Sequence, residues 1–178
     1  MVDKKLDALS FQSLYISKEY SNCPLIPDVV AFVNGLKPVD NLTISHRFGR
    51  RILINSKDVD LKELGKQNFL ELVDYDPFNK ILLVMGAEDA LIDSPLHWYI
   101  HHARDDVNAV LLIREKKLEK IPTIDNKYPI WTVEQIKEVL GALGNSKIVN
   151  IKDVGVLFAG DSLKELNSHF SKYEGKLK

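Results

Sequence analysis

Short apolar runs of strand length alternate along this chain with stretches that carry helix caps and helical periodicity. That alternation confines it to a mixed α/β fold rather than a helical bundle or a β-sandwich. Asn108–Ile113 is a continuous apolar run, β-branched at Val110 and Ile113, and reads as a buried strand. Leu42–Ser45 and Arg51–Ile54 read as a strand pair, with Phe48-Gly49-Arg50 as the hairpin loop. Leu70–Tyr75 and Lys80–Met85 form a second pair joined by Asp76-Pro77-Phe78-Asn79. Asp93-Ser94-Pro95 starts a helix running to about residue 104, because a proline in the first turn forfeits no hydrogen bond. Thr132-Val133-Glu134-Gln135 opens another, with Ile136, Val139, Leu140 and Leu143 on one face. Two strands follow at Lys147–Ile151 and Val154–Phe158, then a last helix, Leu163–Tyr173, capped by Asp161 or Ser162. Apolar positions at Leu6, Leu9, Leu14 and Ile16 predict an opening helix over residues 4–20. Val29–Val33 is a helical turn or a strand, and Asp60–Gly65 a short helical turn.

At roughly 150 residues per domain, 178 residues make one domain spanning 1–178, and no linker divides it. Nine glycines, seven prolines and balanced charge exclude collagen-like and disordered classes. The formal net charge is -1, from 24 Lys+Arg against 25 Asp+Glu, so nucleic acid is not the expected partner. A single cysteine, Cys23, rules out an intrachain disulfide framework and a Cys-rich zinc site, and fits a reducing, cytoplasmic setting. Neither a membrane-length apolar run nor a signal-peptide core is visible, so no membrane association is expected.

Three sequence blocks then resemble one family. Asp93-Ser94-Pro95-Leu96-His97, followed by Ala103-Arg104-Asp105-Asp106-Val107-Asn108-Ala109-Val110, is similar to the class II aldolase/adducin pattern. That pattern is an acidic residue, a histidine four positions on, then a motif like Ala-Arg-Pro-Asp-Val-x-Ala-Val. Gly155-Val156-Leu157-Phe158-Ala159-Gly160 through Leu166 resembles the family's closing segment, and Ile44-Ser45-His46-Arg47 its early Ile-Ser-x-Arg strand. The resemblance covers roughly residues 25–175. It implies a three-layer α/β/α domain with a mainly antiparallel central sheet and a homotetramer with clefts at subunit borders.

The resemblance also locates departures. Zinc-dependent members hold the metal on three histidines, and the zinc stabilises an enediolate as an aldol bond breaks or forms. Here those positions fall on Leu112, Arg114 and Val154. Leu and Val have no donor, and Arg brings a permanent positive charge, so a zinc cofactor is not expected. The catalytic glutamate falls on Asp93 and the family histidine on His97. A phosphate-binding asparagine falls on Thr43, a phosphate-binding serine pair on Leu91-Ile92, and a Thr-Gly or Ser-Gly loop near Ser56-Lys57.

Several readings of the residues stay open. Asp93 and His97 are candidates for acid/base chemistry, while Asp93 as a plain helix cap is the bland alternative. His97 and His101, four apart on one helix face, could hold a metal with Asp93, or be packed and solvated histidines. Arg114 and Arg47 are candidate anion anchors, with Ser45 beside them, or else ordinary surface arginines. Trp98, Tyr99 and Trp131 read as packing residues, Cys23 as an inert thiol, and Arg50-Arg51 as hairpin surface. The expected protein is an aldolase-like domain without the standard zinc site and without class II aldolase activity. It would bind a small anionic or sugar-like ligand or act as an interaction subunit. The alternative is a metal-independent or altered-metal aldehyde-lyase or isomerase acting on a small phosphorylated carbonyl compound.

Overall fold

A computed structural model describes residues 10–36, 39–56 and 60–178. The elements are β1 (Gln12–Ser17), α1 (Ile26–Gly35), β2 (Leu42–Phe48), β3 (Arg51–Asn55), β4 (Phe69–Asp76), β5 (Ile81–Met85), α2 (Ser94–Ala103), β6 (Ala109–Arg114), β7 (Thr123–Ile124), α3 (Val133–Asn145), β8 (Ile148–Ile151), β9 (Gly155–Gly160) and α4 (Leu163–Tyr173). The strands form one nine-stranded sheet in the order β1-β5-β4-β3-β2-β6-β9-β8-β7. Its six interior pairings are antiparallel. The two edge pairings, β1 with β5 and β7 with β8, are parallel, so the sheet is mixed although mainly antiparallel.

Strand alternation sorts the core onto two faces. On β2, Leu42 and Ile44 join Leu111 and Ile113 of β6 under α1 and α4, which contribute Val29, Val33, Leu166 and Phe170. On the opposite face, Val110 and Leu112 pack with Leu96 and Ile100 of α2 and Ile136, Val139 and Leu143 of α3. Sheet between two helical layers is the expected three-layer α/β/α arrangement. Each such aliphatic side chain, once fully buried, contributes about 1.5–3 kcal/mol of transfer free energy. Thr132 and Ser162 cap α3 and α4 through their hydroxyls, accepting from the N–H of Gln135 and Glu165.

The opening helix expected over residues 4–20 is overturned where it can be compared. Residues 12–17 are the edge strand β1, while residues 1–9 lie outside the described part. The stretch alternates exposed Gln12, Leu14 and Ile16 with half-buried Ser13, Tyr15 and Ser17, a period of two that the scattered leucines disguised. Val29–Val33 belongs to a helix, α1. A hydrogen-bonded turn, Glu63 N–H to the Asp60 carbonyl, stands within the expected Asp60–Gly65, and a 3-10 turn follows at Lys66–Asn68. Among the described residues no helix is long and apolar enough to cross a membrane.

Candidate functional site

Two polar columns face each other between β2 and α2. Along β2, alternation puts Thr43, Ser45 and Arg47 on the α2 side of the sheet. Along α2 and its start, Asp93, His97 and His101 fall four residues apart, so they stack on one helix face. Two strand residues span about 6.7 Å and four helical residues about 6 Å, so the columns keep step. Thr43 Oγ1 donates to Asp93 Oδ2 at 2.8 Å. Ser45 Oγ lies 2.7 Å from His97 Nδ1 and 2.8 Å from His101 Nε2. Arg47 closes the row at the C-terminal end of α2. Its Nη2 donates to the carbonyls of His101, Arg104 (3.0 Å) and Val107 (3.0 Å), and its Nε to Asn108 Oδ1 at 3.1 Å. The His101 carbonyl is one that a helix end leaves unpaired, and the Arg104 and Val107 carbonyls belong to the turn that follows, so Arg47 ties the end of α2 to the loop leading into β6.

Asp93 is fully buried and its side chain caps nothing, against the expectation of a simple helix cap. Its carboxylate is taken from three other sides. Arg114, at the end of β6, donates from Nη2 to Oδ1 and from Nε to Oδ2 (3.2 Å). Trp131 Nε1–H donates to Oδ1 at 3.0 Å, and Thr43 supplies the fourth bond. A buried carboxylate needs this compensation, because its lone pairs have lost water. Arg114 keeps about a quarter of its side chain exposed (25%) and is not the surface arginine of a charged loop. Trp131 is fully buried in a left-handed backbone conformation (φ 65°), rare for a bulky residue. Its N–H donates to the buried Gln135 Oε1 at 3.0 Å, and its indole to Asp93, so two bonds hold the strained turn in place.

Bonding direction around Ser45 fixes the histidine protons. His101 Nδ1 lies 3.3 Å from the Val107 carbonyl, which can only accept, so Nδ1 carries the hydrogen. His101 Nε2 then accepts from the Ser45 hydroxyl, and Ser45 Oγ accepts from His97 Nδ1–H. His97 Nε2 is left with a bare lone pair, buried and without a partner among the described residues. Burial pushes the His97 pKa down to about 4; the Asp93 charge opposes the fall and Arg114 adds to it. Burial, then the charges of His97 and Arg47, pushes His101 well below the usual histidine range as well. Both rings are neutral near pH 7.

The sequence-predicted residues fall into two adjoining hydrogen-bonded groups: Asp93 with Arg114, and Ser45 with His97, His101 and, through the Val107 carbonyl, Arg47. Thr43 and Trp131 complete the first. Thr43 was legible as the third polar residue of an alternating strand, whereas no local signal marks Trp131, which comes from 38 positions away. His97, His101 and Asp93 do not converge as a ligand set: Asp93 turns to Arg114 and the histidines to Ser45. Among the described residues no group of three His, Cys, Asp or Glu side chains could hold a metal ion. Leu112 and Val154 are buried in the same core cluster as Trp131 and Leu157. A small cavity of about 160 Å3 lies nearby, lined by Asp40, Asn41, Leu42, Asn55, Ser56, Leu61 and Leu91. The buried Ser56 Oγ has no partner among the described residues, and Lys57 lies outside them.

No family model and no curated protein matches the sequence. Solved structures do match the fold. L-fuculose 1-phosphate aldolase superposes with a TM-score of 0.62 at 13% identity, covering 86% of this chain and 86% of that one. A sugar-phosphate aldolase from Thermotoga maritima gives 0.65 at 12% identity, over 84% and 90%. An aldolase II superfamily protein from Pseudomonas syringae gives 0.61 at 17% identity, over 85% and 73%. At these identities the likeness is one of fold, and the chain has the class II aldolase fold.

Proposed function

We propose that this chain is a zinc-independent protein on the class II aldolase fold, whose ancestral metal cleft has become part of the core and which serves as an interaction subunit rather than a lyase. The observation that carries this reading is the saturated carboxylate of Asp93. Arg114, Trp131 and Thr43 occupy both of its oxygens, and no exposed surface remains to it. A guanidinium sits where the resemblance would put a metal ligand, and it already neutralises the acid that would share that metal. Leu112 and Val154 offer no donor and are buried beside Trp131, so the residues present do not fit a zinc ion. The catalytic alternative, in which Arg114 polarises a carbonyl while Asp93 or His97 moves a proton, needs a substrate to reach those atoms. The buried Asp93 oxygens and the buried His97 Nε2 offer it no approach. Arg47, the second candidate anion anchor, spends its Nε and Nη2 donors on the end of α2 and the turn after it.

The test is direct. The purified chain is incubated with zinc, desalted and assayed for bound metal and for cleavage of L-fuculose 1-phosphate. The expected result is no stoichiometric zinc and no cleavage; one zinc per chain with turnover overturns the reading. A second reading draws on the unpartnered Ser56 Oγ in the small cavity beside Leu91. A ligand there would be a small neutral polyol, because Asp40 on the wall opposes an anion and 160 Å3 lies below the roughly 300 Å3 of ordinary ligand pockets. Thermal stabilisation by glycerol-sized polyols that Ser56→Ala abolishes would favour it.

A further inference from the structure

The helical layer formed by α1 and α4 stops short of one end of the sheet. It covers Ile44, Leu53, Phe69, Leu111 and Phe158. From Leu53 the same sheet face runs on through Glu71 of β4 and Met85 of β5 by direct cross-strand register. It ends at Leu83 of β5 opposite Leu14 of β1. Four large apolar side chains stand exposed around this end: Leu14 (44%), Ile16 (57%), Tyr20 (49%) and Phe48 (38%). Tyr20, Phe48 and Met85 together wall a hollow of about 280 Å3 that the buried Glu71 also lines.

The adjoining sheet edge is open as well. β1 pairs only with β5, and among the described residues nothing meets its outer side. Gln12 N–H donates inward to the Lys80 carbonyl, so alternation turns the backbone groups of Ser13 and Tyr15 outward. Exposed edges are ordinarily blunted by charge, proline or brevity. The opposite edge obeys: β7 is two residues long, with charged Asp125 next in the chain. β1 is six residues, Gln-Ser-Leu-Tyr-Ile-Ser, without a charge or a proline; a register shift between Tyr15 and Ser17 leaves Gln12–Tyr15 as its regular stretch.

We propose that β1 pairs antiparallel with β1 of a second copy of this chain about a two-fold axis, extending the sheet across the dimer and burying Leu14 and Ile16. An isologous contact sets a patch against itself, so a charged strand would tend to meet its own sign. Gln12–Ser17 has no charge to repel. The flanks differ from end to end. Lys80 and Asp76 lie at the Gln12 end, while Lys18, Glu19, Glu88 and Asp89 lie at the Ser17 end. Antiparallel pairing brings the Lys80 end of one copy to the Glu19 and Glu88 end of the other, and Asp76 toward Lys18. This contact is remote from the Asp93 network and does not depend on how that network is read.

Sedimentation velocity of the full chain over a concentration series tests the proposal, with Leu14→Lys, Ile16→Lys and, on the far side of the sheet, Tyr128→Ser. The wild type and Tyr128→Ser should form dimers. Each β1 variant should raise the dimer Kd at least roughly tenfold, about 1.4 kcal/mol, and at concentrations where both proteins are monomeric its thermal melt should match that of the wild type, since both side chains are exposed in the single chain. Hydrogen exchange at the Ser13 and Tyr15 amides should slow as the wild-type concentration rises, and should not slow in Ile16→Lys. A wild type that stays monomeric, or an oligomer indifferent to both β1 variants, overturns it.

Discussion

Acidification should remove stability through His97 in a defined pH window. The ring is neutral in the fold, with its pKa held near 4, against an ordinary 6.5 in the unfolded chain. Above 6.5 neither state is protonated and His97 adds no pH dependence. Between 6.5 and about 4 the unfolded chain binds a proton that the folded chain refuses, so stability falls as pH falls. Below the folded pKa both states are protonated and the loss is complete. A drop from 6.5 to about 4 at about 1.4 kcal/mol per pH unit amounts to about 3 kcal/mol. Against a typical total of 5–15 kcal/mol, that is a large share. Urea unfolding followed by circular dichroism from about pH 7 to about pH 4 measures it, with His97→Asn as the reference. The asparagine amide still donates to Ser45 but does not titrate. Carboxylates and His101 titrate in both proteins and cancel to first order. The stability gap between wild type and variant should therefore shrink by about 3 kcal/mol across the window. A gap that stays constant from neutral to acid would show that His97 is not a buried neutral ring, and the bonding order around Ser45 would fall with it.

Other perturbations follow from particular side-chain and backbone surroundings. Asp93→Ala strands a guanidinium and an indole N–H, and should cost about 3 kcal/mol, near the low end for a broken buried pair because Arg114 keeps some solvent. Asp93→Leu with Arg114→Met should recover most of that loss in denaturant melts, and no recovery would refute the pairing as its cause. Arg47→Lys loses the fork that spans three carbonyls and Asn108; it should cost roughly 1–3 kcal/mol and speed amide exchange in the last turn of α2. Two glycines should answer oppositely to alanine. A Cβ at Gly155 meets the Ile113 carbonyl oxygen and lies 2.9 Å from Arg114 Cα, so Gly155→Ala should lower stability by roughly 1–3 kcal/mol. Gly141, inside α3 with open space around it, should gain about 0.5–1 kcal/mol from Gly141→Ala.

What was legible in the sequence, and what was not, divides along the range of the interactions. β6, α3 and α4 were readable because the signals are local: an unbroken apolar run, Thr132 with Gln135 three residues on, and Ser162 with Glu165. β1 was misread because Leu6, Leu9 and Leu14 suggested a helical spacing, while its strand character depends on pairing with β5, nearly seventy residues away. The site shows the same division more sharply. Ser45, Arg47, Asp93, His97 and Arg114 could be picked out as unusual residues, and the structure sets all five along the contact between β2 and α2 and the neighbouring end of β6, in two hydrogen-bonded groups. Their roles were set by partners that no spacing rule reaches. Asp93 sits where a helix cap belongs, yet its carboxylate bonds Thr43, Arg114 and Trp131, fifty, twenty-one and thirty-eight positions away. Arg47 has the chemistry of an anion anchor, yet its Nε and Nη2 are taken by the end of α2 and the turn after it, through the carbonyls of His101, Arg104 and Val107 and the side chain of Asn108. A residue type thus limits which interactions are possible, and the competition among neighbours within hydrogen-bond reach decides which is made. Here that competition leaves the polar column between β2 and α2 internally satisfied except at His97 Nε2, the atom whose desolvation the acid titration reads out.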